Sequence, residues 1–153
     1  NILFLEKIKV ISSTYFNPEL SLRRGNYTKL KPNKHDLFDI KKGIKILQNS
    51  NSYDHVQAII VRNNIVVTET QKGTKKLIQS VKKTKNSTGV LIKFPKKKQD
   101  LRADLPTIGL DTFKDCKKAG LKGVVLKNKQ NIFLEKKACI NFANKNKLFV
   151  TIK

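Results

Sequence analysis

Apolar residues change their spacing several times along this chain, and each change marks an element. From Lys34 to Gln48, Leu37, Ile40, Ile44 and Leu47 recur near a helical period behind Pro32 and Asn33, which predicts a helix with one stripe on a core. Val56–Val61 and Ile65–Thr70 are β-branched runs separated by Arg62, Asn63 and Asn64. Asn tolerates positive φ, so this pattern predicts a tight hairpin. Gly73 and Thr74 open a short predicted helix that buries Leu77, Ile78 and Val81, and Gly89–Lys93 reads as a buried strand. Asp111 is the expected cap of a helix to about Ala119, closed by Gly120, and a strand follows at Gly123–Leu126. A turn at Asn128–Gln130 leads to Ile132–Leu134. A helix over 135–145 then places Ala138, Cys139, Phe142 and Ala143 on one face, and Leu148–Ile152 closes the chain as a strand. Near the start, Lys7–Ser12 is a further candidate strand, while Asn17–Asn33 has no period and reads as a linker.

Strands alternating with helices around one hairpin predict the α/β class: a mixed sheet with helices packed on it, in a single compact domain. At 153 residues, 39% of them apolar, the chain has material for one ordinary core. It opens on Asn1 inside the apolar run Ile2–Leu5, so residues 1–30 are expected to be the distal end of a truncated N-terminal domain or a linker, and 31–153 the α/β domain. No apolar run approaches the roughly 20 residues of a membrane-spanning helix.

Charge alters the functional picture. Lys and Arg number 33 against 11 Asp and Glu, a formal +22. Such a field favours polyanions, phosphorylated ligands or an anionic membrane. Nearly all the cations are Lys, however, with Arg only at positions 23, 24, 62 and 102, and Asn and Ile are also abundant. Codon bias in an AT-rich genome produces that combination, so most of the charge is compositional. The few aromatics are not interleaved with basic residues on a sheet face as a base-stacking platform requires, and no nucleic-acid partner is expected. Cys116 and Cys139 lack metal-ligand spacing and read as buried free thiols.

In so basic a chain, the carboxylates between Lys93 and Gly109 stand out. This loop leaves the carboxyl end of a predicted buried strand, where ligand crevices of open α/β sheets form. If its backbone is extended, Asp100, Arg102 and Asp104 share one face and Leu101, Ala103 and Leu105 the other. Pro106 biases Leu105 toward extended geometry. Two readings stay open on spacing alone. The carboxylates could hold a hard divalent ion completed by substrate phosphate, or Asp–Arg–Asp could be a salt-bridge ladder that pins the loop.

The runs Gly89–Lys96, Gln99–Gly109 with Thr112, and Ala119–Gly123 together resemble the C-terminal domain of UDP-2,3-diacylglucosamine pyrophosphatases of the LpxI type. Similarity continues upstream through Asp54–Ala58, the hairpin to Glu69, and Gly73–Thr74, and downstream at Leu134–Glu135 and Leu148–Val150. The resemblance implies a cytoplasmic hydrolase, peripheral to the inner membrane, that splits UDP-2,3-diacylglucosamine into UMP and 2,3-diacylglucosamine 1-phosphate with Mg2+ or Mn2+. On the same ground Asp104 and Asp100 become catalytic and metal-binding candidates. Lys93, Lys96 and Arg102 would neutralise the diphosphate, and Thr107, Gln57, Gly73 and Thr74 would supply further contacts, with Thr74 equally suited to capping a helix. Implied partners are the acylated sugar nucleotide, the anionic inner-membrane surface and an N-terminal domain of the same protein. One departure stands out: two acids of the family's E-A-x-E-G-T-D run are Lys72 and Lys75 here. That change keeps a non-catalytic remnant of the hydrolase domain as an alternative, beside a basic nucleic-acid-binding module.

Overall fold

The computed structural model describes residues 5–49 and 55–153. Its centre is a six-stranded mixed sheet in the order β1-β8-β6-β4-β2-β3. The strands are β1 (Gly25–Asn26), β2 (Ala58–Arg62), β3 (Ile65–Thr68), β4 (Val90–Lys93), β6 (Gly123–Leu126) and β8 (Phe149–Ile152), while β5 (Thr107–Ile108) and β7 (Ile132–Phe133) form a separate parallel pair. β4, β6 and β8 run parallel, so their carboxyl ends lie along one edge of the domain. β2 joins β4 antiparallel and pairs with β3 through the expected hairpin, whose turn residues Asn63 and Asn64 both have positive φ, 49° and 69°. Two positive values suit the twist of a two-residue hairpin, and Asn accepts them at low cost.

Helices cover both faces. α1 (Ser13–Phe16) and a 3-10 turn (Pro18–Leu20) lead in; α2 (Lys34–Asn49), α3 (Gly73–Ser80), α4 (Leu110–Lys118) and α5 (Lys136–Lys145) follow. The β4-to-β6 and β6-to-β8 crossovers step the same way across the sheet, and right-handed crossovers then put α4 and α5 on one face. That face packs Ile60, Leu91, Val124 and Val150 against Leu77 and Ile78 of α3, Phe113 and Cys116 of α4, and Cys139 and Ala143 of α5. On the other face Ile59, Val61, Ile92 and Val125 meet Ile40 and Leu47 of α2. Gly43 lets α2 lie close, because a Cβ there would strike the Ile92 side chain. At Gly123 the missing side chain leaves room for the Phe149 ring on the neighbouring strand.

Most predicted elements appear within a residue or two of their expected limits, and three differ. No strand forms at Lys7–Ser12; Ser12 instead caps α1, its side chain accepting from the Thr14 amide. The stretch read as a linker contributes β1, which pairs with β8, and Leu22, which is fully buried. An isolated two-residue strand has no period to detect, so only the β8 edge reveals it. Gly109, not Asp111, stands at the N-cap of α4, and Asp111 sits in its first turn beside Lys114. Both cysteines are buried free thiols, and burial raises both thiol pKa values, that of Cys139 to about 11.

Candidate functional site

The loop between β4 and β5 occupies the carboxyl edge of the parallel strands, as its order in the chain requires. Its ends are anchored. At the start, the Phe94 amide donates to the Gln57 carbonyl (2.8 Å), and the Gln99 side chain accepts from the Lys96 amide (2.8 Å). Downstream, the buried Asn131 side chain donates to the Pro106 carbonyl (3.2 Å), while the Ile132 amide reaches the same oxygen (3.1 Å).

Between these anchors the backbone is not extended. The amides of Ala103 and Asp104 both donate to the Asp100 carbonyl, at 3.2 and 2.8 Å, which closes a tight turn over 101–103. The expected alternation of three charged groups on one face is therefore replaced by a chelate. Arg102 donates from Nε and from a terminal nitrogen to the two Asp100 oxygens (3.0 and 2.8 Å), and its own amide adds a third bond (3.0 Å). Arg102 holds the Asp100 carboxyl down to about 2 by those hydrogen bonds and its charge. Asp104 is exposed two residues further on, and among the described residues no side chain hydrogen-bonds or ion-pairs with its carboxylate.

Most of the other candidates collect around a residue that spacing did not single out. Glu69, at the end of β3, is buried. One of its oxygens accepts from the amides of Gln57 (3.3 Å) and Ala58 (3.1 Å), and the other from the Thr74 hydroxyl (2.7 Å). Thr74 thus makes no cap for α3 and instead orients the carboxylate. Glu69 also acts on Lys93 at the end of β4: burial lowers the Lys93 pKa, and the Glu69 charge opposes that shift. Lys93 Nζ donates to the Thr107 carbonyl (2.9 Å), which ties the Glu69 node to the downstream end of the acidic loop. The Thr107 hydroxyl turns back to the Leu105 carbonyl.

Gln57, Gly73 and Lys96 line a cavity of about 260 Å³ together with His55, Glu69 and Gln71. The fold therefore brings Gln57, Gly73, Thr74, Lys93 and Lys96 into one neighbourhood. Asp100, Arg102 and Asp104 do not line that cavity and stay on the adjoining loop. Glu69 could have been found as the acid that ends a β-branched run five residues before Thr74; Asn131 carried no comparable signal.

The donor set does not fit a preformed metal site. Both Asp100 oxygens are engaged by Arg102, and among the described residues no three His, Cys, Asp or Glu side chains stand close enough to hold an ion.

Comparison with known proteins identifies the family. The chain is 31% identical over 141 residues to the UDP-2,3-diacylglucosamine pyrophosphatase LpxI of Caulobacter vibrioides, a match that covers 86% of this chain and 50% of that protein. The chain thus spans about half the length of that relative. The model of the LpxI C-terminal domain matches residues 23–151, from just before β1 into β8, so the chain belongs to the LpxI C-terminal domain family.

Proposed function

We propose that this domain carries the reacting loop of a hydrolase in lipid A biosynthesis, one that cleaves the pyrophosphate bond of UDP-2,3-diacylglucosamine. Water adds to one phosphorus, the bond from that phosphorus to the bridging oxygen breaks, and the products are UMP and 2,3-diacylglucosamine 1-phosphate. The observation that carries this reading is the family match together with the place of the loop 99–109 at the carboxyl edge of the parallel strands, where the Asp104 carboxylate is exposed and has no partner among the described residues. An anionic carboxylate free of partners can orient a water and accept its proton. Asp100 cannot serve equally while Arg102 grips it, so its role is to shape the turn that presents Asp104. Lys96 offers an exposed cation at the cavity beside Glu69, suited to the phosphoryl oxygens as charge develops on them. Lys93 contributes field from a fixed position, since its ammonium is held by the Thr107 carbonyl.

Mg2+ or Mn2+, if required, would be held by Asp104 and the substrate diphosphate, which is the smaller share of protein ligands typical of Mg2+ sites. The test is UMP release from UDP-2,3-diacylglucosamine by the full-length protein, with and without each metal. Turnover with either metal, lost in Asp104→Ala, supports the reading. An inactive wild type with both metals favours the non-catalytic alternative, to which Lys72 and Lys75 point.

A further inference from the structure

The stretch ahead of β2 holds a side chain that the proposed chemistry has not used. His35 and His55 are the two histidines of the chain, and they lie at opposite edges of the sheet. His35 shares a cavity with Thr88, Gly89 and Lys122, where β4 and β6 begin. His55 lines the cavity of about 260 Å³ with Glu69 and Lys96, where β3 and β4 end.

Its placement follows from strand register. β2 pairs antiparallel with β4, with Ile59 opposite Ile92 and Ala58 opposite Lys93. One residue beyond that ladder the Phe94 amide still donates to the Gln57 carbonyl (2.8 Å), and the Gln57 amide donates to Glu69 (3.3 Å). Continued by two residues, the same register sets His55 opposite Lys96, and both line the one cavity. Lys96 also lines a second cavity, of about 520 Å³, with Gln99 and Leu101. It therefore borders both the His55 cavity and the loop that carries Asp104.

The surroundings leave few roles for this imidazole. His55 is exposed and among the described residues has no hydrogen-bond partner, so it neither packs in the core nor caps an element. Metal ligation is not supported either. Among the described residues no three His, Cys, Asp or Glu side chains stand together, and the Glu69 oxygens are taken by the Gln57 and Ala58 amides and the Thr74 hydroxyl. The charged groups nearby are Glu69 and Lys96 in the cavity wall, Lys93 within reach of the Glu69 charge, and Lys72 and Lys75 at the start of α3. A lysine ammonium ordinarily keeps its proton near neutral pH, whereas an imidazole gives and takes one there.

We propose that His55 is the proton donor to the leaving phosphate, a catalytic residue that meets the bridging oxygen of the diphosphate opposite Lys96. This step rests on the proposed hydrolysis and completes its proton balance. The water oxygen bonds to one phosphorus while Asp104 takes a water proton. The bond from that phosphorus to the bridging oxygen breaks, its electron pair stays on that oxygen, and the oxygen receives the proton of the His55 imidazolium. Donation requires a protonated His55, so turnover falls as rising pH removes that proton.

The test follows UMP release from UDP-2,3-diacylglucosamine by the full-length protein, with Mg2+ or Mn2+ present, as a function of pH. The substrate diphosphate is esterified at both ends and does not titrate near neutrality, so a loss of kcat there on the alkaline side belongs to the protein. Wild type should show that alkaline limb. His55→Gln should lower kcat about a hundredfold, remove the limb and leave KM within about threefold of wild type. His35→Gln, at the other edge of the sheet, should stay within about twofold of wild type with the limb intact, and circular dichroism should show both variants folded. A wild-type profile without the limb, a His55→Gln enzyme that keeps it, or a loss confined to KM would overturn the assignment and leave the hydrolysis standing. A wild type inactive with both metals would overturn the two together.

Discussion

The acidic loop and the Glu69 node are neighbours with opposite physical characters. Asp100 and Arg102 are two residues apart and exposed, and a local turn brings them together. Glu69 is buried and held by three donors, from Gln57, Ala58 and Thr74, with Lys93 as its charged neighbour. An exposed pair gains little because water screens it, whereas a buried carboxylate is costly to strip of its partners. On the proposed function, the difference separates a reacting surface from the frame behind it: Glu69 joins β2, β3 and α3, Lys93 ties the end of the loop at the Thr107 carbonyl, and the Asp104 carboxylate has no partner among the described residues.

Three substitutions can break that distinction. The largest effect on stability is expected from Glu69→Ala, which leaves the Gln57 and Ala58 amides and the Thr74 hydroxyl without their acceptor and removes the charge that opposes the burial of Lys93. A loss of about 2–4 kcal/mol should appear in denaturant unfolding, with Glu69→Gln losing clearly less. A Glu69→Ala variant as stable as wild type would deny the node its structural role. Lys93→Met should cost less, about 1 kcal/mol, since Glu69 keeps its hydrogen bonds and only the bond to the Thr107 carbonyl is lost. Asp100→Ala should shift stability by no more than about 0.5 kcal/mol, as befits an exposed pair.

A titration sharpens the same contrast. The Asp100 pKa is depressed in the folded state, so its contribution is present above the ordinary carboxylate range and is lost as pH falls toward about 2. An NMR titration should find the Asp100 carboxyl near that value in wild type and back toward 3.8 in Arg102→Gln. A wild-type midpoint near 3.8 would mean that the chelate does not persist in solution.

The contrast also explains what the sequence disclosed. Long periodic segments were legible: the stripe of α2, the β-branched hairpin and the strands β4 and β6 all follow from spacing. β1 was not, because two residues have no period and the pairing partner lies at the far end of the chain. The loop's position at a strand end was also readable, but its backbone was not. Alternating charge suggested an extended run, and the bidentate Asp100–Arg102 bond with two amides on one carbonyl favoured a turn instead. Glu69 was visible only as part of a matching run, and its role was not legible because Gln57, Ala58 and Thr74, which hold it, and Lys93, on which its charge acts, come together only in the fold.

The most direct test of the central claim compares two conservative variants in one assay. UMP release from UDP-2,3-diacylglucosamine by the full-length protein should fall at least about a hundredfold in Asp104→Asn, as for loss of a group that moves a proton, and less than about tenfold in Asp100→Asn. The reverse order, or an Asp104→Asn enzyme within a few-fold of wild type, would contradict the assignment of Asp104 as the reacting carboxylate.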